Sequence, residues 1–268
     1  MIRQPIKTRW VIALGVVSVV AMLASYTWVS WKQHKANPGD TTIPTWSQLK
    51  GGVVKAFQAH ANGERWVVAD AKASAFRLFL GMLFGVLIAL VFGVSMGCLK
   101  HVESVLLPPL TLVALVPPTA ALAVYFVLVG TGTSMYVTMI ALGTGATMAR
   151  STYLAVRDFP MELLYKGYTL GASSLELIVS VILRHVLPKF IDTVRLHIPP
   201  AMIFLIAAEM VCGDVGFGYR IRLQSRLLNM DVVYPYLAML AAFGFAMDFA
   251  FRMLQQVCCP WYKLEGGD

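Results

Sequence analysis

The sequence predicts an all-α fold, a polytopic membrane bundle of about six transmembrane helices. Two observations carry this. Hydrophobic residues make up 58% of the chain and charged residues 13%, whereas a soluble domain is about half apolar and a quarter charged. The apolar residues are also gathered into runs long enough to cross a hydrocarbon core. Short polar turns separate these runs, together with polar stretches at 32–71 and 151–188. The formal charge of +8 suits anionic membrane lipid, and with no separate basic domain it gives no ground for nucleic acid. Cys98, Cys212, Cys258 and Cys259 show no metal-ligand spacing. They read as small apolar fillers near helix ends, with palmitoylation of the adjacent pair as the other reading.

The first span is Trp10 to Trp31, flanked by Arg9 and Lys32. At about 1.5 Å per residue it extends about 33 Å, enough to cross a bilayer. Arg3, Lys7 and Arg9 precede it as in a secretory signal. The run exceeds a signal's apolar region and shows no small-residue cleavage site before Trp28 and Trp31, so it reads as an uncleaved helix. In the segment that follows, residues 37–40 make a loop and Ser47–His60 an amphipathic helix. The second span covers about 72–98, with Gly81, Gly85, Gly93 and Gly97 four residues apart or a multiple of it. That spacing lets helix backbones approach closely, which predicts a buried helix. Lys100–Glu103 reads as a polar turn. The third span, about 107–129, has Pro108-Pro109 at its start and Pro117-Pro118 inside. Gly130-Thr131-Gly132 turns it into a fourth at about 133–150. The fifth runs about 189–212, the sixth about 232–257, and 258–268 is a tail. The chain reads as one domain over 1–268, with no internal repeat.

Between the fourth and fifth spans, Met161–Leu170 predicts a short helix started by Asp158 or Pro160 and ended by Gly171. Ser173 or Ser174 then caps a second helix with Glu176 in its first turn, and Leu187-Pro188 marks where that helix closes and the fifth span begins. The Tyr168-Thr169-Leu170-Gly171-Ala172-Ser173 core resembles the cytoplasmic coupling loop of ABC-importer permeases, in particular the nitrate/sulfonate/taurine-type subfamily. The resemblance extends over most of 40–262. It includes Ile43-Pro44, Ser74-Ala75-Phe76-Arg77 with Gly81, Val116-Pro117-Pro118, Gly130-Thr131-Gly132, Arg195, Ala208-Glu209-Met210, Gly216-Phe217-Gly218-Tyr219 and Asp231-Val232-Val233. It departs from the family at Tyr165-Lys166-Gly167, where the family shows Glu-Ala-Ala; Glu162 lies three residues too early to replace that carboxylate. It departs again at Leu183-Arg184, at Ala123, and at Pro199-Pro200.

The resemblance implies a type I importer permease with a coupling helix that docks in a cleft of a separate ATPase. It implies two ATPase subunits that bind ATP and Mg, a second permease copy forming a homodimer, and a periplasmic or lipoprotein substrate-binding protein. It places the chain in the inner membrane with both termini cytoplasmic, 32–71 periplasmic and 151–188 cytoplasmic. Basic residues divide almost evenly between the two sides and leave orientation to that resemblance. The implied cargo is a small solute, chiefly an anion such as nitrate, bicarbonate, a sulfonate or taurine. The coupling residues are Tyr165, Lys166, Gly167, Leu170, Gly171, Ala172 and Ser173.

An ionisable side chain at membrane depth costs about 2.5–3.5 kcal/mol on insertion scales, so such groups pair or face water. Arg77 and Glu209 lie at similar depth and either form an ion pair or line the mouth of the pathway. Asp192 with Arg195, and Asp248 with Arg252, have the spacing of local pairs. His197 before Pro199-Pro200 marks a break in the fifth span that either lines the path, with Pro117 and Pro118, or is filled by a neighbouring helix. Arg220, Arg222 and Arg226 either meet acidic residues of a binding protein or sit at lipid headgroups. The chain contains no GxxxxGK[ST] or HExxH, so it reads as a non-catalytic subunit without its own cofactor or metal. The alternative is a permease-like scaffold or channel not coupled to ATP. A secondary transporter would show two related halves.

Overall fold

A computed structural model describes residues 8–58 and 65–262; Arg3, Lys7, His60 and Lys263 lie outside them. The helices are α1 (Thr8–Ala36), α2 (Trp46–Phe57), α3 (Trp66–Cys98), α4 (Lys100–Leu115), α5 (Leu122–Val129), α6 (Thr133–Arg157), α7 (Met161–Thr169), α8 (Ser174–Leu177), a π-helical turn (Ile178–Ile182), α9 (Leu183–Leu196), α10 (Ile198–Cys212), α11 (Phe217–Arg226) and α12 (Met230–Cys258). Among the described residues four stretches are long and apolar enough to cross a membrane: Arg9–Ala36, Trp66–Cys98, Ser174–Cys212 and Met230–Cys258. They contain the first, second, fifth and sixth expected spans.

The third expected span is not one helix. Lys100–Glu103, expected as a turn, is instead the first turn of α4, because only Leu99 leaves helical geometry (φ −120°, ψ 108°) and its carbonyl accepts from Glu103 N–H at 3.0 Å. Pro108 and Pro109 therefore lie inside α4. The break falls at Val116–Pro118, where a residue preceding proline is pushed to extended backbone; Val116 has φ −81° and ψ 119°. α5 restarts after it and ends at Gly130, whose φ is +83°. The fourth span lies within α6, whose Thr- and Gly-containing middle suits helix contact more than lipid.

The described residues divide into two compact units, one drawn from Val67–Arg220 with Ala238–Asp268, the other from Met1–Trp66 with Ile221–Leu237. In the larger unit α6 is the hub, and α4, α5, α9 and α10 pack on it. Met135, Tyr136, Met139, Ile140, Met148 and Ala149 are buried there. α3 meets α6 along the expected glycine stripe. A Cβ on Gly81 would sit 2.6 Å from Ile140 Cβ, on Gly85 2.9 Å from Thr144 Oγ1, and on Gly93 2.6 Å from Thr152 Cβ; Gly97 faces Val156 in the same way. The partner numbers rise in step with the glycine numbers, so α3 and α6 run in the same direction, with α4 and α5 between them in sequence. Gly93→Val is expected to cost about 1–3 kcal/mol, or more, by overpacking, because a backbone carbonyl of Ala149 also lies 2.8 Å from that Cβ position. Thermal unfolding in detergent reads this; an unchanged midpoint would show that the two helices are not in close contact.

In the smaller unit, Thr45 and Gln48 form a reciprocal cap on α2. Tyr26 of α1 donates to Pro44 O at 2.7 Å and its ring meets Trp46 edge-on at 5.4 Å. Lys55 pairs with Asp231 at 2.9 Å.

Two further expectations are corrected in the fifth span. Pro188 does not close the loop's second helix or open the span; it lies inside α9 and is buried. The helix runs unbroken from Ser174 to Leu196, and the wider π turn at Ile178–Ile182, not the proline, is its irregular point up to there. The span itself does end and restart. His197 (φ −95°, ψ −2°) is at once the C-cap of α9 and the N-cap of α10, and Pro199 and Pro200 fall in the first turn of α10. There a missing N–H costs nothing, since first-turn donors lack helical partners.

Candidate functional site

The α7–α8 loop is built by its sequence almost step by step. Pro160 stands at the N-cap of α7 with φ −63°. At the other end Gly171 takes φ +85°, a conformation that costs a side chain about 1–2 kcal/mol. Ala172 N–H then bonds Gly167 O at 3.1 Å and Gly171 N–H bonds Tyr168 O at 3.0 Å, the doubly bonded glycine stop. Ser173 follows as the N-cap of α8, not Ser174. Its hydroxyl accepts from Glu176 N–H at 3.3 Å, while Glu176 Oε2 accepts from Ser173 N–H and Oγ at 2.8 Å each. The two helices meet where Leu177, buried, lies against Gly167; a Cβ there would collide with Leu177 Cδ2. Gly167, which replaces the last alanine of the family pattern, thus fits a larger neighbour.

What the loop presents outward is apolar and basic. Tyr165, Lys166, Tyr168 and Leu170 are exposed, Leu170 at 87%. The carboxylate that α7 does present is Glu162, exposed in its first turn, one turn before Lys166.

The Glu176 carboxyl is held below its usual pKa, first by the Ser173 N–H and then by the Ser173 hydroxyl. A depressed carboxylate contributes stability that is present above its unfolded pKa and lost as pH falls through the folded value. The cap on α8 should therefore be intact at neutral pH and open only below the ordinary glutamate range. Protection of the Ser173 and Glu176 amides, measured against their intrinsic exchange rates, should fall there in the wild type, and Glu176→Gln should remove that fall.

Within the larger unit, the expected charged residues fall into two clusters. Arg77 and Glu209 form an ion pair of 2.9 Å, and the residues are 7% and 0% exposed. Ser74 Oγ donates to Glu209 at 2.8 Å, Gly218 N–H at 2.9 Å. Arg77 also donates to Val215 O at 2.7 Å and lies 4.2 Å from the Tyr136 ring centroid. Beside this pair is a second that the sequence reading missed, Arg220 Nε to Asp70 Oδ2 at 2.8 Å. Three consecutive N–H groups at the start of α11 are taken in turn: Gly216 by Asp70 at 2.9 Å, Phe217 by Ser74 at 3.0 Å, Gly218 by Glu209. Two carboxylates thus face the positive end of a helix. The available signal was the spacing of Asp70, Ser74 and Arg77, which share one helical stripe at i, i+4 and i+7. Arg220 is consequently not an outward-facing charge.

Arg195 lies in the other cluster, about 21 Å from Glu209 along the helix path at 1.5 Å per residue. It donates to Asp192 at 2.8 Å and to Asp248 at 3.0 Å, and Arg252 joins Asp248 at 2.9 Å. The two expected local pairs are thereby linked into one alternating chain across α9 and α12. His197 Nδ1 is 2.7 Å from Thr193 O, inside its own helix. Pro117 is exposed, and Pro118 seats against Gly143, near Phe204. The structure therefore joins Arg77 to Glu209, and leaves Arg195, His197 and the Pro117-Pro118 break as separate features.

The sequence model of a family described as "binding-protein-dependent transport system inner membrane component" matches residues 81–257. The chain is 25% identical over 260 residues to the taurine transport system permease protein TauC of Escherichia coli (strain K12), covering 96% of this chain and 94% of that one. It is 25% identical over 253 residues to the putative aliphatic sulfonates transport permease protein SsuC of the same organism, covering 94% and 90%. A solved chain from the inward-facing MetNI methionine ABC transporter superposes with a TM-score of 0.62 at 17% identity, over 74% of this chain and 99% of that one. That likeness carries the fold, the type I importer arrangement.

Proposed function

The chain belongs to the family of binding-protein-dependent transport system inner membrane components, the permease subunits of ABC importers, and from that premise we propose that it forms the translocation path for a small anion of the sulfonate or taurine class. Two copies enclose the path. Two separate ATPase subunits, which hold ATP and Mg, drive it, and a binding protein delivers the solute. The α7–α8 loop and both termini face the cytoplasm.

One observation carries the reading: a short helical tip, closed by the Gly171 stop and the Ser173 cap, that offers Tyr165, Tyr168 and Leu170 outward while Leu177 is buried against Gly167. An exposed aromatic and aliphatic tip on a rigid support is what a docking element needs, because its side chains lose little freedom on binding. Tyr165 stands where the family carries a carboxylate and Lys166 adds a positive charge beside it, which supports an ATPase whose receiving cleft offers an acidic group. The taurine and sulfonate relatives support the cargo class. Within the path, Arg195, His197 and the Pro117-Pro118 break are the proposed lining, and Arg77 with Glu209 the proposed brace of its mouth.

Gentle purification from native membranes, followed by mass spectrometry of what accompanies the chain, tests the proposal. An ABC ATPase in equal amount is the expected result. Its absence, in detergent that preserves other importers, would overturn coupling to ATP and leave a scaffold or channel. Arg195→Ala and His197→Ala variants that assemble and transport normally would remove those two residues from the path.

A further inference from the structure

Residues 32–71, read from sequence as a polar segment on the outer side, contain a helix whose surroundings are those of a lipid interface. We propose that α2 lies in the membrane surface, with one face immersed at the boundary of headgroups and acyl chains. The occupant of that face is lipid. The inference needs only that α1 spans the membrane and is independent of the substrate and of the ATPase.

α2 divides into three arcs. Gly52 and Ala56 are buried, and Gly52 lies against the Asp231 carbonyl so closely that no side chain fits. Ser47, Gly51 and Lys55 occupy a polar arc, and Lys55 there pairs with Asp231. The remaining arc carries Trp46, Val53 and Phe57, in the i, i+7, i+11 order of one helical stripe, with Val54 at its edge. All four are exposed. Lys50 sits in the same stripe at i+4, where its stem can lie along apolar surface while the ammonium reaches water. A large apolar arc on a short surface helix is the pattern of an interfacial helix.

Depth is fixed by α1. Trp46 Nε1 donates to Thr27 Oγ1 at 3.1 Å, and Thr27 lies four residues inside the end of the apolar run that closes at Trp31. At 1.5 Å per residue this is about 6 Å inside, within the 5–10 Å depth typical of interfacial helices. The same level is marked from α1 itself. Lys32 lies 5.4 Å from the Trp28 ring and Lys35 5.1 Å from the Trp31 ring, amphipathic pairs of the kind that collect where hydrocarbon meets headgroups. Tyr26, Trp28, Trp31 and Trp46 thus form an aromatic belt at one end of α1, and α2 folds back from Ala36 into that belt instead of standing clear in water. Asp231, to which Lys55 is tied, opens the last span, a second membrane-bound anchor for the helix.

The test uses the full chain with its native cysteines replaced, in phospholipid nanodiscs. Val53→Cys, Phe57→Cys and, as control, Ser47→Cys are spin-labelled one at a time. Collision with oxygen, which concentrates in the bilayer, is compared with collision with a nickel chelate, which stays in water. The oxygen-to-nickel ratio is expected to be severalfold higher at positions 53 and 57 than at 47. Nickel-dominated relaxation at 53 and 57 would overturn the proposal by placing α2 in water. Low accessibility to both reagents would overturn it in favour of a protein partner on that face. Quenching by bromine-labelled acyl chains gives an independent reading through the emission lost in Trp46→Phe: that emission is expected to be quenched, and unquenched emission overturns the assignment.

Discussion

Glu209→Ala is expected to destabilise the protein by about 3–5 kcal/mol, the cost of breaking a buried pair and leaving one charge behind. Glu209 is fully buried and receives three donors: the Arg77 guanidinium, the Ser74 hydroxyl and the Gly218 N–H. Truncation strands all three where water cannot replace the carboxylate. Glu209→Gln keeps one acceptor oxygen and should fall between wild type and alanine. Arg77→Ala strands the carboxylate instead, and the double variant should lose less than the sum of the two singles, because the stranded charge disappears with its partner. Unfolding in detergent followed by a reporter in α11 measures this. Local loosening of α11 before global unfolding is the specific expectation, since the N–H groups of Gly216, Phe217 and Gly218 at its start are held by this cluster and by Asp70. A Glu209→Ala protein as stable as wild type would show that the pair does not hold the segment.

Leu170→Asp is expected to abolish co-purification of the ATPase while leaving the permease folded. Leu170 stands 87% exposed at the tip of the loop, so its loss removes almost no internal packing, whereas a hot-spot contact is worth about 2 kcal/mol or more in an interface. That energy corresponds to about a thirtyfold weaker complex. Gly171→Val should have a similar effect by a different route, because φ +85° is severely strained for a β-branched residue, and relaxing it would reorient the tip. If Leu170→Asp retained full ATPase-driven transport, the docking role of the tip would fall.

The parts of this architecture that were legible in sequence are those set by local chemistry. The Gly81, Gly85, Gly93 and Gly97 repeat predicted a close helix contact, and it is the contact with α6. Pro160 and Gly171 predicted α7 nearly to the residue, and Ser173 with Glu176 predicted where the second helix starts but not where it ends, because caps and glycine stops depend on neighbours a few positions away. The Arg77–Glu209 pair was readable as one of two options because depth can be counted along a helix. The errors arose where tertiary surroundings override a local rule. Lys100–Glu103 looks like a turn by polarity, yet one extended residue, Leu99, is enough to separate α3 from α4. Pro188 looks like a boundary, yet the helix carries it inside a packed span, where Gln255 Nε2 donates to its carbonyl at 3.1 Å. The Asp70–Arg220 pair joins residues 150 positions apart, beyond the reach of any spacing argument made from one end.

The π turn at Ile178–Ile182 has a consequence for how partners are matched. A π turn holds one residue more than the α-helical path would, and each residue of an α-helix turns the chain by about 100°. Deleting a single residue there would restore the α-helical path and leave the α7–α8 tip pointing nearly as before, whereas a deletion within the α-helical stretch Leu183–Leu196 would swing the tip around the axis of the fifth span by about that angle. The direction in which the tip points is therefore set by the count of α-helical units between it and the membrane, and the π turn is a place where the count can change by one without turning the tip. Two permeases with the same tip sequence whose counts differ only by this turn would present the tip in the same direction, to the same kind of socket.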